Sequence, residues 1–270
     1  MLPELWAAAL GVAQNGYRGS MELFPTVAGG LVAAAAAVLA GMTGFGYALL
    51  STPVLLALGY PPATVVAANL SIALVTRITV AWRLRSWATW RRVGLLGAGS
   101  LPGLALGARL QAALDPEALR PAIGAAVVVA ALLMLRARPQ PRRDRQRGGT
   151  VLPMLTGFLS GVLGTTTSLS GVPLIFYLSR LGLEPARFIA DLAVYFVLTN
   201  AAGLFLMLVN GALAPDALLT TTAIWLPGAL LGTLLGVRLG TRLPAPHFRT
   251  LVLAAALGAG VLTVASAFLR

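Results

Sequence analysis

Two stretches of this chain gather hydroxyl side chains and glycines within an otherwise apolar sequence. The first carries Thr43, Gly44, Gly46, Tyr47, Ser51 and Thr52; the second carries Gly164, Thr165, Thr166, Thr167, Ser168, Ser170 and Gly171. Such residues do little covalent chemistry. They can hold a compact anion, because a helix broken at Gly and Ser offers it O–H groups and the backbone N–H groups of a fresh N-terminus. A plainer role fits the same residues: glycines let helices cross closely, and Ser or Thr bond back to their own helix. A cation is also at hand, Arg77, inside the apolar run 62–84. An arginine at membrane depth is costly and marks a candidate site, although its length also lets it reach the headgroups. Asn200 occupies the matching place in the second half, and Asn69 and Ser71 lie two turns before Arg77. Asp191 is the only carboxylate near the interior of an apolar run; it is a candidate for proton coupling or an interfacial residue.

The elements that must position these residues come in two sets. Gly41-x-x-Gly44 followed by Pro53 recurs as Gly161-x-x-Gly164 followed by Pro173, at an offset of 120. Gly59-x-x-Pro62-Ala63 recurs as Gly182-x-x-Pro185-Ala186, and Gly107-x-Arg109-Leu110 as Gly236-x-Arg238-Leu239. Duplicated halves, each with an interruption in its first hydrophobic segment, form the pattern of a secondary transporter with a site at the repeat interface. Residues 1–23 read as an N-terminal interfacial segment rather than a cleaved signal. Residues 24–135 form the first transmembrane repeat, 136–149 an Arg-rich cytoplasmic linker, and 150–270 the second repeat.

Composition agrees with a bilayer. Hydrophobic residues make up 58% of the chain and charged residues only 10%, against about 25% in a soluble domain. Spans are expected at 62–84, 93–110, 119–135, 186–209, 217–239 and 250–269. The stretches 24–60 and 150–181 exceed one crossing and suit a broken or re-entrant hairpin. With hairpins the halves are inverted, and fifteen arginines fall inside against four outside; single crossings would give twelve against seven. The positive-inside rule favours the first. Two full crossings in each stretch would give the same parity. The expected fold is therefore all-α and polytopic, two inverted repeats each opening with a hairpin and continuing with three transmembrane helices.

Several classes are excluded or disfavoured. The net charge of +12 comes wholly from arginines clustered at the ends of apolar runs, so it is not a nucleic-acid footprint. There is no cysteine and one histidine, His247, in a loop; no metal or other cofactor is implied, and an intramembrane enzyme would want more acid–base groups. Scarce carboxylates speak against a cation carrier. A passive anion channel and a carrier of small carboxylates remain as alternatives. The partners expected are a small anion and the lipid bilayer. Small-residue faces such as Gly228–Gly236 could pack within one protomer or between the two of a homodimer.

The residues also resemble a known family. The run Gly41-Met42-Thr43-Gly44-Phe45-Gly46 with Pro53, the run Leu101-Pro102-Gly103-x-x-x-Gly107-x-Arg109, and its echo Leu226-Pro227-Gly228-x-x-x-Gly232-x-x-x-Gly236-x-Arg238 are similar to motifs of the TauE/SafE (TSUP) exporters. The resemblance spans about Thr26 to Ala267. It implies movement of small sulfur anions such as sulfite, sulfoacetate or related sulfonates across a bacterial inner membrane, often as export. It further implies coupling to the membrane potential or a proton gradient. The cysteine chemistry of a related thiosulfate-uptake group does not carry over to a chain without cysteine.

Overall fold

Proline and glycine set the helix boundaries. Pro62 and Pro185 each occupy the first turn of a long helix, where the missing N–H has no intrahelical partner to lose. Gly59 and Gly182, in the turns before them, both take left-handed φ values of 94° and 62°, which glycine adopts without a Cβ clash. The repeated Gly-x-x-Pro is thus a repeated helix–turn–helix junction.

The computed structural model describes residues 26–42, 46–136, 149–211, 215–240, 257–258, 261 and 264–265. Among these, nine helices follow one another: α1 (Thr26–Met42), α2 (Tyr47–Ala57), α3 (Pro62–Leu84), α4 (Trp90–Ala113), α5 (Pro116–Arg136), α6 (Val151–Thr167), α7 (Gly171–Ser179), α8 (Pro185–Val209) and α9 (Pro215–Gly240). No strand occurs among the described residues. Helices α3, α4, α5, α8 and α9 are long and apolar enough to cross a membrane. They contain the spans expected from 62–84 through 217–239, extended by one to three residues at most ends. The N-terminal segment, the linker from 137 to 148 and most of the last expected span lie outside the described residues.

Each opening stretch is a hairpin. Ser160, two turns before the end of α6, donates to the carbonyl of Ser170, just before α7. Leu174 and Leu178 of α7 then cluster with Val93 and Leu96, and Leu96 also meets Gly157 near the start of α6. So α7 returns toward the end from which α6 set out. In the first half, Leu55 and Leu56 of α2 pack with Ala33, Ala36 and Ala37 of α1, and Tyr60 reaches back to Gly29. At the usual rise of 1.5 Å per residue the arms are unequal, about 25 Å for α1 and α6 and about 13–17 Å for α7 and α2.

The two halves clasp each other through glycine. Gly99, Gly103 and Gly107 of α4 lie against the backbone of α6 at Met154, Phe158 and Val162. Gly228, Gly232 and Gly236 of α9 meet α1 in the same way at Gly30, Ala34 and Val38. In the α4–α6 ladder, and at Gly232 and Gly236, a Cβ would land on a carbonyl oxygen of the facing helix. This is the close approach that small-xxx-small faces permit. The ladder also corrects the repeat register: α1 and α6 correspond at an offset of 124, one helical turn from the 120 read off Gly41 and Gly161. Likewise Pro53 is the seventh residue of α2 whereas Pro173 is the third of α7.

Helices α3 and α8 cross as an antiparallel pair between the clasps. Val66 clusters with Met207, Leu70 meets Gly203, and Arg77 lies over Phe196. Trp225 of α9 is core, 1% exposed, edge-on to Tyr60 at 5.2 Å and donating to the Thr26 carbonyl at 3.1 Å.

Candidate functional site

The break after α1 and the break after α6 face one pocket. Gly46, at φ 98°, precedes α2, and no side chain caps that helix. Ser168, the only non-glycine with positive φ among the described residues, at 63°, ends α6; Ser170 precedes α7, again without a side-chain cap. The first residues of both short helices, Tyr47 to Leu49 and Gly171 to Val172, line the pocket. Two helix N-termini therefore open on one space, and each carries partial positive charge from its aligned peptide dipoles.

Helices α3 and α8 close the sides with Asn69, Leu70, Ala73 and Arg77 from one and Phe196 and Asn200 from the other. The space is about 580 Å³ including its mouth, and no carboxylate lines it among the described residues. Arg77 stacks over the Phe196 ring at 5.5 Å, a cation–π contact that holds the guanidinium at the wall. Asn200 is 2% exposed, and its Nδ2 donor has no hydrogen-bond partner. A buried amide donor left unpaired costs about 1–3 kcal/mol.

Asn69 is fully engaged. Its Oδ1 accepts from Ser51 at 3.0 Å, and its Nδ2 donates to Thr52 at 2.9 Å and to Ser168 at 3.3 Å. Thr52 in turn donates to the Thr167 carbonyl at 3.4 Å. This network ties α2 of the first half to the break of the second.

Of the residues expected from sequence to meet a substrate, Gly46, Asn69, Arg77, Ser168 and Asn200 stand on the pocket wall. Ser51 and Ser170 are buried beside it, Ser51 on Asn69 and Ser170 under Ser160. The three consecutive threonines serve the helix. Thr166 and Thr167 donate to Val162 and Leu163 one turn back, and Thr165 donates to Leu104 of α4 at 3.1 Å. Thr43 and Gly44 lie outside the described residues. Asp191 is buried within the protein, 0% exposed, accepting from the Thr89 N–H at 2.6 Å and from Arg92 at 2.5 Å. No group of histidine, cysteine or carboxylate residues that could hold a metal occurs among the described residues.

Sequence reasoning passed over Phe196 and the apolar wall of Leu49, Leu169, Val172 and Ile175. Phe196 had a usable signal, since it stands one helical turn before Asn200 on the same face. The apolar wall had none, because leucine, valine and isoleucine are everywhere in this chain.

The family model for the sulfite exporter TauE/SafE matches residues 29–263. A Cupriavidus necator protein described as "Probable sulfite/organosulfonate exporter TauE" is 27% identical over 195 residues, covering 71% of this chain and 75% of that protein. No solved structure matches. With the family model running across both hairpins, the pocket between them and the long helices that flank it, this chain belongs to the TauE/SafE sulfite exporter family of membrane transporters.

Proposed function

We propose that this protein exports a small sulfur-containing anion, such as sulfite, sulfoacetate or a related sulfonate, across a bacterial inner membrane by alternating access. The anion sits between the two helix breaks. One observation carries the reading: Arg77 and the unpaired Asn200 donor share a carboxylate-free pocket onto which the N-termini of α2 and α7 open. Beside its apolar wall the pocket offers a cation, an unpaired amide donor and two helix N-termini, which suits a sulfonate head with its several acceptor oxygens. The same wall is unsuited to a divalent cation, which needs oxygen anions.

The carrier mechanism follows from two inverted repeats. The antiparallel run of α3 against α8 and the exchange of clasps, α4 on α6 and α9 on α1, support that arrangement. Each repeat contributes one break and one long pocket helix, so rocking one half against the other opens the pocket to alternate ends. No step of this cycle makes or breaks a covalent bond, and the protein is not an enzyme on this reading. The relative's printed description supports the substrate class.

Calorimetric titration of the purified protein with sulfite, sulfoacetate, sulfate, acetate and chloride tests the proposal. Saturable binding of a sulfur anion, weakened in Arg77→Ala, is the expected result. Equal binding of acetate and sulfoacetate would favour a carboxylate carrier, and no binding of any anion would remove the site.

A further inference from the structure

The Asp191 carboxylate has no role in the pocket, yet it is the most fully buried charge among the described side chains. Its two hydrogen bonds both come from the other half of the molecule, from the Thr89 N–H and from Arg92 in the first turn of α4. Removing water from a carboxylate costs several kcal/mol, and a paired cation returns that only with good geometry. Residues of similar volume and no charge would hold two helices together at less cost, so stability alone does not account for the pair.

Its location does. Asp191 lies on α8 five residues before Phe196 and nine before Asn200, both on the pocket wall. The pair thus pins the pocket helix of one half to the α3–α4 corner of the other, at the end that carries Arg83, Arg85 and Arg91. Its counterparts in the other half carry no charge: that of Asp191 at the junction offset is Ala68, and that of Arg92 in the α4–α9 register is Thr221.

We propose that Asp191 and Arg92 form a proton-operated latch. While Asp191 is ionised it holds the Arg92 end of α8 shut, and opening of the pocket toward that end goes with transfer of a solvent proton to the Asp191 carboxylate. Arg92, 12% exposed, keeps its own charge and swings into water. The other groups facing Asp191 leave it the acceptor: Tyr177 of α7 is a neutral phenol, and Arg187 on α8 is paired with Glu184 at 3.8 Å. The proposal rests on the carrier reading above and adds a proton site to it.

A chain without native cysteine makes the test direct. A cysteine at Ala73, on the pocket wall, reports access to the pocket. A cysteine at exposed Ser86 marks the Arg92 end and corrects for the pH dependence of the thiol itself. In sealed vesicles, labelling of Ala73→Cys by an impermeant thiosulfonate from the Ser86 side is expected to be slow at about pH 8 and to rise as pH falls toward about 5. Asp191→Asn and Arg92→Gln are each expected to raise the rate at pH 8 by about tenfold or more, and Asp191→Asn to make it independent of pH. The exchange Asp191→Arg with Arg92→Asp is expected to restore slow labelling. A wild-type rate that does not vary with pH overturns the latch, without any substitution at Asp191 having to fold. An Asp191→Asn protein that stays monodisperse and labels at the wild-type rate overturns it as well. Sulfoacetate titration of the same wild-type sample reads the anion site separately: labelling that follows pH without sulfonate binding sinks the substrate reading and leaves the latch standing.

Discussion

Replacing Asn200 by leucine is expected to separate binding from stability. In the unliganded protein the Asn200 Nδ2 is buried without a partner, a state that costs about 1–3 kcal/mol. Leucine keeps the branched shape and leaves no donor to satisfy, and its larger methyl groups can extend into the adjoining pocket, so the unliganded variant should melt close to the wild-type temperature. Anion binding, by contrast, should fall. A hydrogen bond to a charged group contributes about 1.5–3 kcal/mol, and its loss weakens sulfonate binding about tenfold to a hundredfold. The assay is a pair of measurements on one preparation in detergent: thermal unfolding without ligand, and calorimetric titration with sulfoacetate. A variant that binds as wild type but melts many degrees lower would refute the reasoning. Asn200 would then be a structural amide rather than a donor held for a ligand.

Other positions give equally direct outcomes. Arg77→Ala should weaken sulfonate binding by about a hundredfold or more, and Arg77→Lys should recover only part of it because the planar fork is lost; titration reads both. Gly103→Leu should abolish monodisperse protein in size-exclusion chromatography, because a side chain there meets the Phe158 carbonyl of α6 and the backbones cannot part without opening the clasp. Arg120 donates to the carbonyls of Leu56, Gly59 and Tyr60 at the end of α2, so Arg120→Ala should lower thermal stability by about 1–3 kcal/mol while leaving sulfonate affinity within a few-fold of wild type. Cysteines at Arg187 and Pro215, the opposite ends of α8 and the α8–α9 connection, should label from opposite faces of the membrane; labelling of both from one face would rule out the inverted arrangement.

The long helices were legible in the sequence because their lengths and prolines are local properties. The runs 62–84 and 186–209 match α3 and α8 within a residue. The breaks were legible for the same reason, as clusters of glycine and hydroxyls interrupting apolar runs. What failed was register. Gly41 and Gly161 look alike, but helix packing, not residue type, decides which positions correspond, and the ladder on α4 and α9 sets α1 against α6 one turn away. The hydroxyl clusters divide between the two roles open to them. Thr165 to Thr167 carry the groups an anion would want, yet a threonine inside a helix can satisfy itself on the carbonyl one turn back, and these do or reach α4 instead. Arg77 and Asn200, both on the pocket wall, stood out in the sequence because matched polar residues in both halves are rare in so apolar a chain. Asp191 stood out in the sequence as a carboxylate near the interior of an apolar run. Its pairing with Arg92 across 99 residues left no local trace.

Matched and unmatched positions divide in a way that the proposed inverted repeats would explain. A ligand held between the halves would be reached from both, and the counterparts Arg77 and Asn200 are both polar and both on the pocket wall. Away from the axis the halves differ: Asn69 against Leu192, Asp191 against Ala68, Arg92 against Thr221. Two identical inverted halves would make the inward-open and outward-open states equal in energy by symmetry. Any bias between those states must therefore come from residues that break the symmetry, and a ligand can shift it only by its differential affinity for the two. The Asn69 network ties α2 to the break after α6. The Asp191–Arg92 pair joins the two halves, and the positions in their register, Ala68 and Thr221, are uncharged, so on the proposed cycle it is the pair to test first for setting the bias.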